Sequence, residues 1–353
     1  MAVLGVLRVL HLVGSPTTAE FCDLSMLYAK GCIEATFDAS RYQFIIALVT
    51  PDGQWRFPSS LERQAIDRAM AIGMADAVAY LAAARIDIAI PHLFCLAGMT
   101  HYRAMLDVLN IPYVGNRPFQ MALAADKAKT RTLVAAAGVR VPSAQLLRKG
   151  DSPPPAPSLP VVVKPNNADN SDGVTLVHTA ADLPAALAKA FSFSDAVLVE
   201  DYIALGREVR GGLVVNGGAF RLLPLEEYWV DPVTRPVRTR TDKLKRNDHN
   251  DLALVAKDKS QAWMVPPDDP VTQTVWEAVQ RCHIALGCEQ YSLFDFRIDP
   301  QGRAWFLEAG LYCSFSPKSV LATMMEAAGT PVAVFFDNAV QQALQTHRER
   351  AGP

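Results

Sequence analysis

YSLFDFRIDPQGRAWFLEAG, residues 291–310, reads as two strands joined by a DPQG turn. Asp295 lies on the first strand and Glu308 on the second, thirteen residues later. Pairing about the turn can bring two acidic side chains to one face of the ribbon. Two inward carboxylates repel unless a cation holds them, and magnesium takes hard oxygen ligands while bridging to substrate phosphates. Two unrelated surface acids would look alike in spacing. Their bulky neighbours Phe294, Phe296, Phe306 and Leu307 argue against full exposure.

Upstream of the hairpin, VTQTVWEAVQRCHIALG (271–287) has helical apolar spacing, and EVRGGLVVNGGAFRLLPLEEY (208–228) reads as another hairpin with NGG at its turn. The stretch 231–259 is dense in charge and proline and reads as a long loop beside the active site; Arg240, Lys243 and Lys245 within it could reach a carboxylate. Further back, VVVKP (161–165) is a buried strand ending on Lys164, followed by the polar loop NNADNSDG (166–173). A lysine at a strand end with loop amides and Ser171 suits phosphate binding, although GxxxxGK[ST] is absent and a turn with an exposed lysine reads the same way. AVLVEDYI (196–203) is a strand carrying Glu200, and Glu208 follows a glycine. Lys127 sits in MALAADKAKTRTLVAAAG (121–138), read as one helix.

Toward the N-terminus, strands at 6–13, 42–50 and 87–94 alternate with helices, one of them Ala-rich over 66–84 and another over 101–110. That alternation predicts a parallel, doubly wound sheet up to about residue 118. Ligands bind such sheets in the loops at the strands' carboxyl ends, which here carry Glu20, His92 and Gly98. A lone histidine there serves equally well as a structural group. The segment KGDSPPPAPSLP (149–160) marks an exposed connector, and the chain from 319 to about 347 is largely helical.

Composition narrows the classes. The chain has 353 residues, half of them hydrophobic, and a net charge of −2, so it can bury several cores but shows no basic surface for nucleic acid or membrane. Cys22, Cys32, Cys95, Cys282, Cys288 and Cys313 form no CxxC pair; Cys282 and Cys288 flank His283, but buried reduced thiols in a cytoplasmic protein are the expectation. The apolar start lacks a basic first segment, Arg8 and His11 interrupt it, and it reads as a first strand and not a signal peptide.

The order of these signals resembles the D-alanine–D-alanine ligase branch of the ATP-grasp superfamily, across almost the whole chain. The match runs from IPYVG (111–115) and GVRVPSA (138–144) through VVVKP, VEDYI–GRE and DFRID to FLEA (306–309). The resemblance implies an α/β ATP-grasp fold of three domains, 1–118, 119–206 and 207–353, with ATP between the last two. It implies ATP and Mg2+ (or Mn2+) as cofactors, Lys127 and Lys164 on the phosphates, and Ser171 and Gly173 in a covering loop. Glu200 and Ile203 fall at the adenine hinge, Glu208 at the ribose, and Asp295 and Glu308 on the metal. Ser319, beside Lys318, falls on an amino-acid carboxylate site, and Glu20 on an ammonium site. Small-molecule substrates follow, with a homodimer expected by analogy.

Departures from the family pattern are specific. Gly310 stands where a metal-binding asparagine is usual, Leu293 where an oxyanion-holding arginine is usual, and Leu96–Ala97 where a Glu-Asp pair is usual. LHLVGS (10–15), LPLEEYWVDP (223–232) and WFLEAGLYCSFSPKSV (305–320) resemble more narrowly the ligases that couple serine or threonine to mycosporine-glycine, giving an ultraviolet-absorbing imine. Phosphorylation there falls on an enaminone oxygen whose charge is delocalised, which would account for the missing arginine. The alternatives are a D-alanine–D-alanine or other dipeptide ligase acting through an acyl phosphate, and an ATP-binding regulatory protein without catalysis.

Overall fold

The computed structural model describes residues 5–151, 158–239, 244–246, 252–254, 260–312 and 314–351. Cys313, Arg240 and Lys243 lie outside the described residues, as do residues 152–157 of the proline connector and the side chain of Lys245.

Three strands rich in Val, Ile and Leu form the first sheet. Leu7–Gly14 lies between Tyr42–Val49 and Ile88–Pro91, both parallel to it. Near-continuous apolar runs of this kind are what a sheet covered on both faces requires. The short strand Trp55–Arg56 adds an antiparallel edge that the turn-like PDGQW sequence concealed. Ile72 bridges back to Trp55, so the expected 66–84 helix is in fact two, Arg63–Arg68 and Met74–Ala83.

A second sheet is antiparallel throughout, in the order Ala144–Arg148, Ala196–Asp201, Val161–Pro165, Thr175–Val177. Helix Leu183–Phe191 packs its Leu183, Ala186, Leu187 and Ala190 on this sheet. The third sheet is built on Arg207–Asn216, flanked by Glu226–Tyr228 and Tyr291–Ile298, with Ala262–Met264 and Ala304–Gly310 outermost. The NGG hairpin is present: Ala219–Leu222 folds back on Arg207–Asn216, and Gly217 and Gly218 take φ of +56° and +82°. Left-handed values of that kind are what glycine permits at a tight hairpin turn. Helix Pro270–Ala285 covers this sheet, with Val275 and Val279 in its core. The charged stretch after Asp231 contains a short ribbon, Leu244–Arg246 with Leu252–Leu254, where a loop was expected.

The helix expected over 121–138 is interrupted. Pro118–Ala125 ends at Asp126, which caps a new helix, Lys127–Ala136, by accepting from Lys129 N. The C-terminal part is also two helices, Val320–Ala327 and Val332–Ala351, whose Leu321 and Phe336 join Val9 and Tyr42 of the first sheet in one core. Among the described residues, no single helix is long and apolar enough to cross a membrane.

Candidate active site

The register of the last hairpin decides the geometry. Phe296 pairs with Phe306, but Asp295 pairs with Glu308, so Leu307 is an extra residue in a bulge. In an unbulged ladder Asp295 would face Leu307, and Glu308 would project from the opposite face. The bulge turns both acids to one side. One strand further, Asp295 lies opposite Arg210, and Arg210 lies opposite Glu226. A row Glu226–Arg210–Asp295–Glu308 therefore crosses four strands on one face.

Two cavities meet at this row. One, about 100 Å³, lies between the second and third sheets and is lined by Lys164, Ser171, Glu200, Ile203, Glu208 and Arg297. The other, about 140 Å³, opens toward the first sheet between Tyr28, Phe94 and Tyr312 on its aromatic side and Lys127, Arg210 and Ser319 on its polar side. Asp295, Glu308 and Arg238 line both.

The lysines are aimed by partners. Lys164, at a strand end and only 7% exposed, donates to Glu200 at 2.7 Å, and Arg131 stands 3.6 Å from the same carboxylate. Lys127 begins its helix, its Nζ donating to Ala168 O and lying 3.7 Å from Glu308. Asn166 ties the two lysine-bearing elements together: its Oδ1 accepts from Ala128 N at 2.8 Å, and its Nδ2 donates to Asp126 at 2.9 Å. The loop after Asn166 holds Asn170 and Ser171 at φ of +53° and +63°. A Cβ on Gly173 would stand 2.7 Å from Pro165, so glycine is required there.

Glu208 pairs with Arg297 at 3.2 Å and with Arg238 at 3.6 Å. Glu200 lines the cavity between the second and third sheets, but both of its oxygens face cations, so here it positions Lys164 instead of offering a free acceptor. The carbonyl of Ile203 accepts from Arg297.

Several first-sheet residues fall elsewhere than expected. His92 is fully buried, 3.0 Å from His11, and does not line either cavity. Burial, then the nearby Arg103, pushes its pKa down to about 3, so it is a neutral structural group and not a base at neutral pH. Gly98 is buried against Leu93, with no room for a Cβ, and also lies off the cavity. Glu20 lies in the first turn of the cavity-facing helix Ala19–Thr36, which Thr18 caps, but Phe21, Leu24 and Tyr28 do the lining. Lys318 is exposed, whereas Ser319 is buried, lines the larger cavity and caps helix Val320–Ala327. His283 bonds Ser292 and packs on Phe220, so the Cys282–His283–Cys288 stretch is core; burial raises the Cys288 thiol to about 12.

Arg210 and Arg238 bring two cations to the site, with Tyr228 between them, and none of the three was singled out from sequence. Arg210 grips Asp295 with Nε and Nη2, the latter at 2.6 Å. Both guanidiniums stand over the Tyr228 ring, at 5.5 Å and 3.6 Å from its centroid. The alternation Glu208, Arg210, Gly212 on one strand face was the available signal.

A family profile described as D-ala D-ala ligase C-terminus matches residues 154–341. The chain belongs to the D-alanine–D-alanine ligase family. The D-alanine–D-alanine ligase of Citrifermentans bemidjiense is 30% identical over 248 residues, 69% of this chain and 72% of that protein. The VanG D-Ala:D-Ser ligase of Enterococcus faecalis superposes with a TM-score of 0.77 at 19% identity, covering 96% of this chain and 99% of that one. The Bacillus anthracis D-alanine–D-alanine ligase complexed with ATP gives 0.72 at 19% identity, covering 98% and 99%. These two likenesses show the ATP-grasp fold. The protein is an ATP-dependent ligase of that fold.

Proposed function

We propose that this family member joins two amino acids, phosphorylating a carboxylate of one and admitting the amine of the other, as a dipeptide ligase does. The observation that carries this reading is the pair Asp295 and Glu308, in register and shared by a nucleotide-side and a substrate-side cavity. Two adjacent acids facing one space are a hard-oxygen donor set, which fits a divalent ion; such an ion would neutralise transferring phosphate oxygens. Lys164 and Lys127 place positive charge on either side of the same point. The Asn170–Gly173 loop excludes water that would hydrolyse an acyl phosphate. Deprotonation of the incoming ammonium and departure of phosphate then complete the amide. Boundaries near 118 and 206 agree with three sheets each drawn from one contiguous stretch.

A second reading rests on the larger cavity. Its Tyr28–Phe94–Tyr312 wall, with ring centroids 5.4 Å and 5.7 Å apart, suits a flat conjugated body better than the methyl of alanine. That favours mycosporine-glycine as acceptor, with serine or threonine as the amine. Phosphate release across amino-acid pairs and mycosporine-glycine, with mass spectrometry of products, separates the readings. A dipeptide supports the first, and a near-ultraviolet chromophore the second. ATP turnover that no acceptor stimulates overturns both and leaves a regulatory ATP-binding role.

A further inference from the structure

We propose that Arg210 is a masked anion subsite of the aromatic-walled cavity, closed by Asp295 and opened when a divalent ion takes that carboxylate. The inference rests on the ligase reading above, because it requires Asp295 to be a metal ligand.

The guanidinium is fixed by its strand. Arg210 projects on the same face as Glu208 and lies in register with Asp295, and its side chain is only 20% exposed. Two parallel N–H donors engage the two oxygens of Asp295. A planar fork on a planar carboxylate is among the strongest polar contacts a protein makes. An ion that takes an Asp295 oxygen must compete with that fork. Whatever the ion gains, Arg210 loses, and the freed donor lies on the wall of the substrate cavity.

The surroundings select what replaces the carboxylate. Next along this face, Leu293 lies in register with Gly212, and a Cβ on Gly212 would stand 3.1 Å from Leu293 and 2.7 Å from Met324. That end of the floor is therefore apolar, and Arg210 supplies its cation. Arg238 stands over the same tyrosine, so two guanidiniums share one ring. The opposite wall is aromatic. A basic floor beneath aromatic walls fits an anionic oxygen on a flat or apolar body: a carboxylate, or a vinylogous carboxylate such as an enaminone oxygen. Metal binding and acceptor binding are then coupled through one side chain, and the coupling must be reciprocal.

The test uses the full chain, Mn2+ as the metal and a non-hydrolysable ATP analogue. Mn2+ binding is followed by electron paramagnetic resonance in wild type, Arg210→Met and Arg210→Lys. Acceptor KM is measured separately, with D-alanine and mycosporine-glycine. Removing the competing cation in Arg210→Met is expected to tighten Mn2+ several-fold while raising acceptor KM about tenfold or more, with ATP KM little changed. Arg210→Lys should fall between. A residue that merely holds the fold would weaken both. Unchanged or weaker Mn2+ binding, or an acceptor KM within about twofold of wild type, overturns the proposal. If both variants unfold, wild type decides: acceptor affinity beside the nucleotide analogue must rise when Mn2+ is added, and no rise overturns it. If wild type turns over neither acceptor, the ligase reading fails instead, and the Mn2+ titration still judges the exchange at Asp295.

Discussion

Lys164 can serve a phosphate only if its ammonium is aimed, and Glu200 aims it. Both side chains are more than nine-tenths buried. Removing one partner of such a pair strands the other's charge, so Glu200→Gln is expected to cost roughly 3 kcal/mol of stability. Urea denaturation reads that loss, and a midpoint equal to wild type would refute the pairing. Lys164→Met should lower kcat by about 10²–10³-fold, because a charge that stabilises transfer is gone; a coupled ADP assay measures it. Gly310 gives a test of opposite sign. A Cβ there would meet nothing closer than Leu293 at 3.9 Å, so Gly310→Asn fits and offers a third oxygen beside Asp295 and Glu308. Mn2+ binding should tighten, and a weakened or unfolded variant would show that the space is not where the register puts it. At this scale Lys164, Asp295 and Glu308 stood out because each ends or faces a patterned strand, whereas Lys127 stood out only by its place in a helical stretch. The cationic side of the site was not. Arg210 looks like any strand arginine until the neighbouring strand is known, and Glu200 reads as an open acceptor until Lys164 and Arg131 are seen around it.

Elements fail to be legible where periodicity runs through a break. Apolar spacing continues from Met121 to Val134 across Asp126, so one helix was the natural reading. The break is what places Lys127 on a helix's first turn, and Asp126 both caps that helix and accepts from Asn166. Asp126→Ala should cost about 1 kcal/mol, the usual worth of a side-chain cap, and raise ATP KM by loosening Lys127. Thermal melting with ATP KM checks this; a lowered melting point with ATP KM unmoved would separate the cap from the lysine. The last hairpin shows the converse. Its strands and turn were plain from alternation, but Ile298 pairs with Ala304 across an odd-numbered loop, and in that register a thirteen-residue interval has the wrong parity for two directly opposed residues in an unbulged ladder. The bulge that corrects it at Leu307 has no local sequence mark, because any residue can be the extra one.

Across the whole molecule, the parallel first sheet and the later hairpins were foreseeable from where strands alternate with helices and where they follow one another. Which surfaces those sheets share was not, since the core joining Val9 and Tyr42 to Phe315 and Phe336 spans most of the chain length. Burial on that scale has a consequence for pH. Burial holds His11 well below its usual range with His92 adding to the effect, holds His92 at about 3, and holds His283 at about 4. Each is neutral when folded, whereas the unfolded chain takes up protons below the ordinary histidine pKa. The unfolded state therefore binds more protons in that window, and stability falls as pH drops from about 6.5 toward about 4. Each histidine contributes a loss of roughly 2 kcal/mol between about pH 7.5 and about pH 5, on a total that is typically about 5–15 kcal/mol. Urea midpoints at those two pH values should differ strongly. His283→Phe should lower the midpoint at neutral pH, because Ser292 loses its partner, yet flatten the pH dependence. A wild-type midpoint that stays level over this range would mean that the three imidazoles are reached by water, and the packing of both cores that hold them would have to be redrawn.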